Sequence, residues 1–421
     1  MDYFKDRRVC VRNVQEEVWK NVSRGCPQGS ICGPAVWNLM MNDLLWDLER
    51  CECKNVAYAD DLLLVIEANA RIDMERTATA CMALVSTWGR KVGVDVSEKK
   101  TVTMLMKGRM ADNRNPRVCL SDKAIKYVKS VKYLGIEMSE RMNFKVHLDS
   151  MREKIVSVVG KLRRVLRKEW GLKRKAVRTL YKGLFIPCVM YGASIWYECM
   201  SFKYARDMIN RCQRVVMYAC LRVCKTVSTE AMQVLMGGLP WDLECMRRGV
   251  KYKMKKRIRM NDADILNDED VERLNESECE KLLDERLYEK WQERWNRCEK
   301  GRITYEYIRN VKFAERSMAF DPSLSVGYLM TGHGSLNEYL YKRKLNETEA
   351  CSCGAQKEDW KHVLCECILY EDVRNLDVMG VKVNDQGVTD VSSVLERKET
   401  YERFYKFAEC VFKRRRERMI E

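Results

Sequence analysis

The sequence predicts an α+β fold in which a small antiparallel sheet with its helices is followed by a helical segment and a compact C-terminal metal-binding loop. Three observations lead to this fold class. Short apolar runs within residues 56–66 alternate with period 2, which is typical of strands. Apolar residues recur every three or four positions over 34–50 and much of 145–235, which is typical of helices. Cysteine and histidine side chains gather within residues 351–367.

Two adjacent carboxylates, Asp60 and Asp61, are the most informative feature of the N-terminal region. They lie between the apolar runs 56–58 and 62–66, so the pattern predicts a tight β-hairpin that presents both carboxylates at its turn. Two like charges this close repel each other. A divalent cation relieves the repulsion, and Mg²⁺ prefers a few carboxylate oxygens together with substrate phosphates. An Asp-Asp pair alone would also fit an acidic surface turn. The surrounding sequence is therefore needed to distinguish a metal-binding turn from a surface turn.

A glycine- and proline-rich turn lies upstream of the carboxylates. Residues 24–30 contain two glycines and a proline, and Gly33 and Pro34 follow. Glycine and proline this dense mark a turn that brings the backbone close to another group. Pro34 suits the first turn of a helix. We therefore predict a helix over 34–50 directly after the turn and a second amphipathic helix over 71–91.

Metal-ligating side chains are concentrated near the C-terminal end. Cys351 and Cys353 are followed by His362 and then by Cys365 and Cys367. Zn²⁺ takes four thiolate or imidazole ligands in a tetrahedron, so three of these cysteines with His362 could bind one ion. The residues alone leave open whether Cys365 or Cys367 completes the site. Chance clustering is the alternative, because the chain contains 20 cysteines.

Composition limits the class of protein. The 421 residues carry 77 basic and 61 acidic side chains, a net charge of +16, which is typical of a folded protein that meets polyanions. The cysteines show no disulfide-scaffold spacing and we expect no signal peptide, which favours a reducing intracellular setting. The longest uncharged run, residues 183–197, is too short to span a bilayer, so we expect no membrane partner.

Basic side chains alternate with apolar ones in the helical segment and predict a cationic helix face, with a merely solvated face as the alternative. The basic members are Lys154, Lys161, Arg163, Arg164, Arg167, Lys168, Lys173, Arg174, Lys175 and Arg178. The C-terminal run 413–418 could hold RNA or an import receptor, or could be a basic helix end. Lys357, Lys361 and Arg374 could contact nucleic acid, and Trp360 could either stack on a base or pack on the loop.

These motifs together resemble a known family. Residues 24–48, RGCPQGSICGPAVWNLMMNDLLWDL, and residues 58–61, YADD, resemble motifs B and C of a reverse transcriptase. Further stretches follow in the family's order. Residues 94–101 resemble motif D, and residues 131–136 resemble the primer-grip hairpin. Residues 228–240 resemble the segment after the thumb, and residues 351–367 resemble the zinc knuckle. The chain therefore resembles the Pol polyprotein of non-LTR, LINE-type retrotransposable elements, and most of all the type I elements that insert into insect ribosomal DNA.

The resemblance implies an RNA-directed DNA polymerase that works by two-metal phosphoryl transfer. Asp60 and Asp61 would hold Mg²⁺ or Mn²⁺. Tyr58 would pack near the primer end, and Lys100 would lie near the triphosphate. The full set that would contact primer, template or nucleotide is Gln28, Gly29, Tyr58, Lys100, Leu134 and Gly135. The family's spacing after the histidine selects Cys367, with Cys351, Cys353 and His362, as the Zn²⁺ ligands.

The resemblance also implies the partners and the order of domains. The partners would be the element RNA as template, nicked chromosomal DNA as target and primer, and deoxynucleoside triphosphates, in the cytoplasm and nucleus. The expected order is a partial palm over 1–140, a helical thumb over 141–240, a basic helical linker region over 241–344, a Cys-Cys-His-Cys zinc knuckle over 345–375 and a helical basic tail over 376–421.

One departure from the family pattern affects the expected activity. A reverse transcriptase palm needs a third metal-binding aspartate, in motif A, upstream of Gly25, and only 24 residues precede Gly25. We therefore expect an N-terminally truncated fragment that is inactive alone, from a polyprotein that also carries an endonuclease. The alternative in a different class is a non-catalytic RNA- or DNA-binding remnant that acts through thumb and knuckle. The C-terminal cluster disfavours a group II intron maturase or a telomerase-like polymerase.

Overall fold

A computed structural model of the chain divides it into two compact units, Met1–Asn143 and Phe144–Glu421. In the described part of the chain, no helix combines the length and the apolar character needed to cross a membrane. The structure describes residues 5–13, 16–22, 25–27, 29–51, 53–106, 115–163, 165–166, 172–261, 264–316, 323–383 and 389–418.

The first unit combines two long helices with short paired strands. Its elements are β1 (Arg8–Arg12), β2 (Glu17–Asn21), α1 (Gly33–Arg50), β3 (Lys54–Tyr58), β4 (Asp61–Val65), α2 (Arg71–Val92), β5 (Val102–Thr103), β6 (Cys119–Leu120), β7 (Lys123–Ala124), β8 (Lys126–Tyr127), β9 (Ser130–Tyr133) and β10 (Ile136–Ser139). The predicted helices over 34–50 and 71–91 are confirmed as α1 and α2.

The strands pair two by two. β1 with β2, β3 with β4, β6 with β7 and β9 with β10 are antiparallel, whereas β5 and β8 are parallel. Among the described residues, the expected antiparallel palm sheet is therefore present as separate two-stranded ladders. The mixture of helices and small sheets agrees with the predicted α+β class.

The core of the first unit lies between the two helices and the β3–β4 hairpin. It is built from buried side chains of α1 and α2 and from Cys53, with the inward residues of the hairpin packed against them: Met41, Leu44, Leu48, Cys53, Cys81, Val85, Ala57, Leu62 and Leu64. Alternate hairpin residues face this core, as the period-2 pattern predicts. The core thus fixes which face of the hairpin is turned inward.

The second unit is mostly helical. Its regular elements are α3 (Lys145–Leu162), α4 (Arg174–Leu180), α5 (Ile186–Val189), α6 (Ala193–Trp196), α7 (Lys203–Cys220), α8 (Thr229–Met236), α9 (Trp241–Lys256), α10 (Asp268–Arg273), α11 (Glu276–Arg297), α12 (Arg302–Tyr307), α13 (Val311–Arg316), α14 (Leu324–Thr331), α15 (Asn337–Lys342), β11 (Lys382–Val383), β12 (Thr389–Asp390) and α16 (Lys398–Arg418). Shorter π or 3₁₀ turns lie at Tyr181–Phe185, Tyr197–Ser201, His362–Glu366, Ile368–Val373 and Ser392–Leu395.

Two arginines that the sequence places on the cationic face are buried instead. Arg174 and Arg178 on α4 are 9% and 7% exposed. Arg174 donates to the carbonyl oxygen of Leu235 at 2.6 Å, and Arg178 to that of Gly237 at 3.5 Å. These carbonyls lie at the C-terminal end of α8, where the helix dipole favours a cation. The prediction was wrong for these two residues, because amphipathic spacing cannot tell a solvated arginine from one that caps a neighbouring helix.

A buried glutamine joins the helices of the second unit. Gln213 on α7 is fully buried. Its amide donates to the Tyr181 hydroxyl and to the Leu239 carbonyl, both at 2.9 Å. Its oxygen accepts from the Gln233 amide at 2.7 Å and from the Trp241 backbone at 3.1 Å. All its hydrogen-bonding capacity is used, which is what a buried amide requires.

Candidate active site and metal centre

The two adjacent carboxylates lie at the tip of the β3–β4 hairpin. Tyr58 pairs with Asp61 as the last register pair, so Ala59 and Asp60 form a two-residue turn. Ala59 has a φ of +53°, which is uncommon for a residue with a side chain. Asp60 and Asp61 are exposed, as is Tyr58. The hairpin therefore presents both carboxylates to solvent, as the sequence predicts.

Helix α1 fixes the position of this tip. The indole N–H of Trp37 donates to the carbonyl oxygen of Ala59 at 2.7 Å. The Trp37 ring packs edge-to-face against Trp88 of α2, with centroids 6.4 Å apart. The helix that follows the glycine-rich turn is therefore bonded to the turn that carries Asp60. Sequence reasoning missed Trp37, since its spacing on α1 reads only as a partly buried apolar position.

The glycine-rich turn is shaped by its own backbone requirements. Gly29 has a φ of +82°, a conformation that favours glycine. The Ser30 hydroxyl accepts from the N–H of Gly33 at 3.0 Å, at the start of α1. A Cβ on Gly33 would lie 2.7 Å from the Ser30 oxygen, so only glycine fits without movement. Gln28 lies outside the described residues.

The predicted primer-grip residues form the turn of a second hairpin. Tyr133 pairs with Ile136, and Leu134 and Gly135 between them have φ values of +45° and +86°. Burial, and to a smaller extent the negative charge of Asp61, raises the pKa of Tyr133. The β9–β10 hairpin belongs to the same unit of the structure as the carboxylate turn. Lys100 is exposed in the turn that precedes β5.

The cysteine and histidine side chains of the C-terminal cluster converge in the structure. The ligand atoms of Cys351, Cys353, His362 and Cys367 all lie within 4.8 Å of one another. The Cys351 and Cys367 sulfurs are 3.7 Å apart, and the Cys353 sulfur is 3.3 Å from Nε2 of His362. Sulfurs around a tetrahedral ion with Zn–S distances of about 2.3 Å lie about 3.8 Å apart. The donor set therefore fits one tetrahedral cation with three thiolates and one imidazole.

Short backbone hydrogen bonds hold the ligand loop. The Cys351 N–H donates to the Ala355 carbonyl at 2.9 Å, and the Gly354 N–H to the Cys351 carbonyl at 3.0 Å. Gly354 has a φ of +95°, as the tight turn after the first two cysteines requires. The Asp359 carboxylate accepts from the His362 N–H at 2.8 Å and so caps the N-terminal end of the helical turn that contains His362.

The thiols of the cluster differ in how easily they ionise. Burial alone would raise the pKa of Cys353, but hydrogen bonds from the Ala355 backbone and from neighbouring ligand side chains lower it to about 7. Burial raises the pKa of Cys351 and Cys367 above the ordinary thiol value. Cys353 is therefore the most acidic thiol of the three, and a bound cation would hold all three as thiolates.

The two cysteines that compete for the fourth position have different surroundings. Cys367 lies beside Cys351, whereas the Cys365 sulfur lies 3.8 Å from the hydroxyl of Thr389. Nδ1 of His362 is 3.5 Å from a Glu366 oxygen, so its Nε2 is the atom turned toward the other ligands. The converging set contains the four residues that the family spacing selects.

Side chains around the cluster are engaged within the chain. Trp360 packs on the ring of Tyr307 in α12, with centroids 5.8 Å apart, so its observed partner lies outside the loop. Lys357 forms ion pairs with Glu338 at 2.9 Å and Asp359 at 3.1 Å. Arg374 donates to the backbone carbonyls of Cys365 and Cys367. Arg374 thus holds the chain at Cys365 and Cys367, and its contact with nucleic acid stays a prediction.

Comparison with known proteins first defines the class. Residues 3–138, which contain the glycine-rich turn, the β3–β4 hairpin and the turn of the β9–β10 hairpin, match the reverse transcriptase (RNA-dependent DNA polymerase) family. The chain therefore carries a reverse transcriptase domain. No solved structure matches the chain.

The curated relatives identify the family more narrowly. The chain is 48% identical over 417 residues to the retrovirus-related Pol polyprotein from type-1 retrotransposable element R1 of Bradysia coprophila, and the match covers 99% of this chain and 41% of that protein. It is 47% identical to the R1 2 polyprotein of Nasonia vitripennis, with 93% of this chain and 96% of that protein covered. It is 42% identical to the putative 115 kDa protein in element R1DM of Drosophila melanogaster, and the match covers 98% of this chain and 40% of that protein.

The chain belongs to the Pol polyproteins of type-1 retrotransposable element R1, and the predicted family is confirmed. It spans about two fifths of the length of the Bradysia and Drosophila relatives.

Proposed function

We propose that this chain is the RNA-directed DNA polymerase portion of an R1 polyprotein, which copies the element RNA into DNA from a primer at nicked chromosomal DNA in the nucleus. The observation that carries the proposal is the exposed turn with Asp60 and Asp61. It lies in a domain that matches reverse transcriptases. Deoxynucleoside triphosphates are then the second substrate.

The geometry of the turn supports the chemistry that we assign to it. Bound Mg²⁺ or Mn²⁺ would activate the primer 3′-hydroxyl and neutralise charge on the leaving pyrophosphate. Asp60 and Asp61 supply carboxylate oxygens at an exposed tip where substrate phosphates can complete the coordination. Trp37 holds the tip through Ala59, which keeps the carboxylates in one place. Such positioning is a large part of what a phosphoryl-transfer enzyme contributes.

Further residues that the family motifs single out are assigned in this proposal as substrate contacts. Tyr58 is exposed next to the carboxylates and is assigned to the primer end. Gly29, in the turn before α1, is assigned with Gln28 to the nucleotide and template pocket. Leu134 and Gly135 at the β9–β10 turn are assigned to the primer strand, and Lys100 to the triphosphate.

The C-terminal cluster is proposed to bind one Zn²⁺ as a structural ion. Cys351, Cys353, His362 and Cys367 would fill all four positions of a tetrahedron around the ion, and a closed site of this kind stabilises a fold rather than performing a reaction. In this proposal, the knuckle and the helical thumb, whose exposed Lys154, Lys161 and Arg163 remain available for phosphates, supply the nucleic-acid grip.

The polymerase assignment is tested with an intact R1 polyprotein that contains this segment. Asp60→Asn keeps the shape of the side chain and removes a metal ligand, so RNA-templated primer extension should fall by at least ~10²-fold. Asp47→Asn, an exposed aspartate on α1, is the matched control and should leave extension unchanged. Extension near the wild-type rate in Asp60→Asn would show that the turn is not catalytic.

A second measurement uses the chain of 421 residues directly. Mn²⁺ binding, followed by paramagnetic water relaxation, should weaken in Asp60→Asn and Asp61→Asn but not in Asp47→Asn. If the chain binds RNA, but neither Asp60→Asn nor Asp61→Asn weakens its binding of Mn²⁺, the result would favour the alternative of a non-catalytic nucleic-acid-binding protein.

A further inference from the structure

The basic run at the end of the chain is not a free tail. It forms the last turns of α16, and three of its arginines contact other segments of the second unit. Arg415 is 8% exposed and donates to the buried carboxylate of Glu358. Arg414 pairs with both oxygens of Asp372 at 2.8 and 2.6 Å. Arg418 donates to the Tyr370 hydroxyl at 2.5 Å and lies over the ring of that residue.

The contacts of Arg415 lead to the first metal ligand. A Glu358 oxygen lies 3.8 Å from the Cys351 sulfur, and its other oxygen accepts from the Asn337 N–H at 3.0 Å. Arg415 also donates to the Asn337 side chain at 2.6 Å. The Asn337 amide donates in turn to the carbonyl of Ala350, the residue before Cys351, at 2.6 Å. One guanidinium therefore fixes the two residues that position Cys351.

The other two arginines act on the opposite end of the ligand loop. Tyr370 and Asp372 lie in the short helical turn that directly follows Cys367. Arg414 and Arg418 bind this turn, so α16 holds the chain on both sides of the ligand set. The apolar face of the same helix is anchored separately, through Phe404 against Tyr307 and Phe412 against Tyr328.

We propose that the C-terminal helix is a clamp for the metal centre, with Arg415 as a positioning residue that acts through Glu358 and Asn337. The inference rests on the proposed binding of Zn²⁺ by the cluster. Groups that orient metal ligands commonly change metal affinity by about 10–100-fold when they are removed. Because the helix binds residues that position the cluster, metal binding would favour docking of the last helical turns, and docking would in turn raise the metal affinity.

The first test uses the unmodified full chain. Amide hydrogen exchange is measured with Zn²⁺ present and after removal of the metal by a chelator. We expect exchange over residues 411–418 to become faster on metal removal, together with exchange in the ligand loop. Unchanged exchange over 411–418, with faster exchange in the loop, would overturn the clamp. This measurement needs no substitution and so decides the question even where a variant fails to fold.

The second test measures Zn²⁺ affinity by competition with a chromogenic chelator. Arg415→Lys keeps the positive charge beside Glu358 but cannot reach both partners, and we expect the affinity to fall at least ~10-fold. Arg414→Gln should lower the affinity less, because its pair with Asp372 is more exposed. Lys413→Gln, on the exposed side of the same helix, is the matched control and should bind Zn²⁺ with the same affinity as the parent.

The outcomes separate this inference from the proposed metal site. Zn²⁺ bound by the parent and by Arg415→Lys with equal affinity would overturn the clamp and leave the metal site intact. A parent that binds no Zn²⁺ would overturn the metal site and the clamp with it. A lower affinity in Arg415→Lys that Lys413→Gln does not share would support both.

Discussion

The indole N–H of Trp37 donates a 2.7 Å hydrogen bond to the carbonyl oxygen of Ala59, although 22 residues separate them in the chain. Ala59 is the turn residue with positive φ that precedes Asp60. A backbone conformation that an alanine rarely adopts is thus held by a donor from the neighbouring helix. Unusual backbone geometry of this kind persists where the surroundings fix it, and it is common at functional sites.

The first prediction concerns Trp37→Phe, which removes the donor but keeps an aromatic ring against Trp88. We expect a loss of about 1 kcal/mol of unfolding free energy, the usual contribution of one hydrogen bond. Because the carboxylate turn loses its anchor, primer extension by the intact polyprotein should fall by about tenfold. Denaturant unfolding and extension kinetics measure the two effects. Trp46→Phe, at an exposed tryptophan on the same helix, is the control. Equal unfolding free energies and extension rates in the two variants would show that Trp37 does not anchor the carboxylate turn.

The second prediction concerns Gln213→Met, which replaces the buried amide with an apolar side chain of similar length. The Tyr181 hydroxyl, the Leu239 carbonyl, the Gln233 amide and the Trp241 N–H would each lose one hydrogen-bond partner. Each buried group left unsatisfied costs about 1–3 kcal/mol, so the unfolding free energy of the second unit should fall by on the order of 3 kcal/mol. Arg211→Met on the exposed side of α7 should stay within about 0.5 kcal/mol of the parent. Chemical denaturation decides, and a loss below 1 kcal/mol would show that the network contributes little.

The third prediction concerns the fourth zinc ligand. Cys367 lies in the converging set, whereas Cys365 lies next to Thr389. Metal analysis should therefore find one Zn²⁺ per chain in the parent and in Cys365→Ser, and none in Cys367→Ser. The reverse result would assign the fourth position to Cys365. Cys298→Ser, outside the cluster, controls for the effect of losing any one thiol.

The fourth prediction concerns acid stability and Asp270. Burial alone would raise its pKa, but hydrogen bonds from Arg286 and from the Asn267 N–H overcome this effect and hold the pKa below the ordinary value of 3.8. A lowered pKa gives stability that is fully present above pH 3.8 and lost as the pH falls through the folded-state pKa.

The measurement is unfolding free energy against pH for the parent and two variants. Asp270→Asn should be less stable than the parent at neutral pH, and its stability should fall less steeply below pH 3.8. Glu269→Gln, an exposed neighbour on α10, should follow the parent curve. Parallel curves for Asp270→Asn and the parent would contradict the assignment.

Local sequence patterns predicted the elements of the first unit well. Period-2 alternation around Asp60 and Asp61 and the proline at the start of α1 are short-range signals, and the structure has a hairpin and a helix where they indicate. The converging set of Cys351, Cys353, His362 and Cys367 was also recognisable, because these residues lie close together in sequence, and their role as zinc ligands stays a prediction. The role of Asp60 as a metal ligand and the roles of Lys100 and Leu134 as substrate contacts stay predictions.

Partners that are distant in sequence could not be predicted. Arg415 and Glu358 are 57 residues apart, and nothing in a basic C-terminal run indicates that one arginine is buried against a carboxylate. Gln213 and Tyr181 are 32 residues apart, and an isolated glutamine reads as a surface residue. His147 likewise packs against Trp196 and is buried, because a tertiary contact decides its environment.

The burial of Arg174 and Arg178 has a consequence for how tightly this protein would hold a nucleic acid in salt. Only side chains that reach phosphates displace condensed counterions, and each such contact adds roughly 0.7–0.9 to the slope of log affinity against log salt concentration. Two arginines committed to the end of α8 displace none. The salt dependence of binding should therefore be weaker, by up to about two units of slope, than the density of basic residues along this segment indicates.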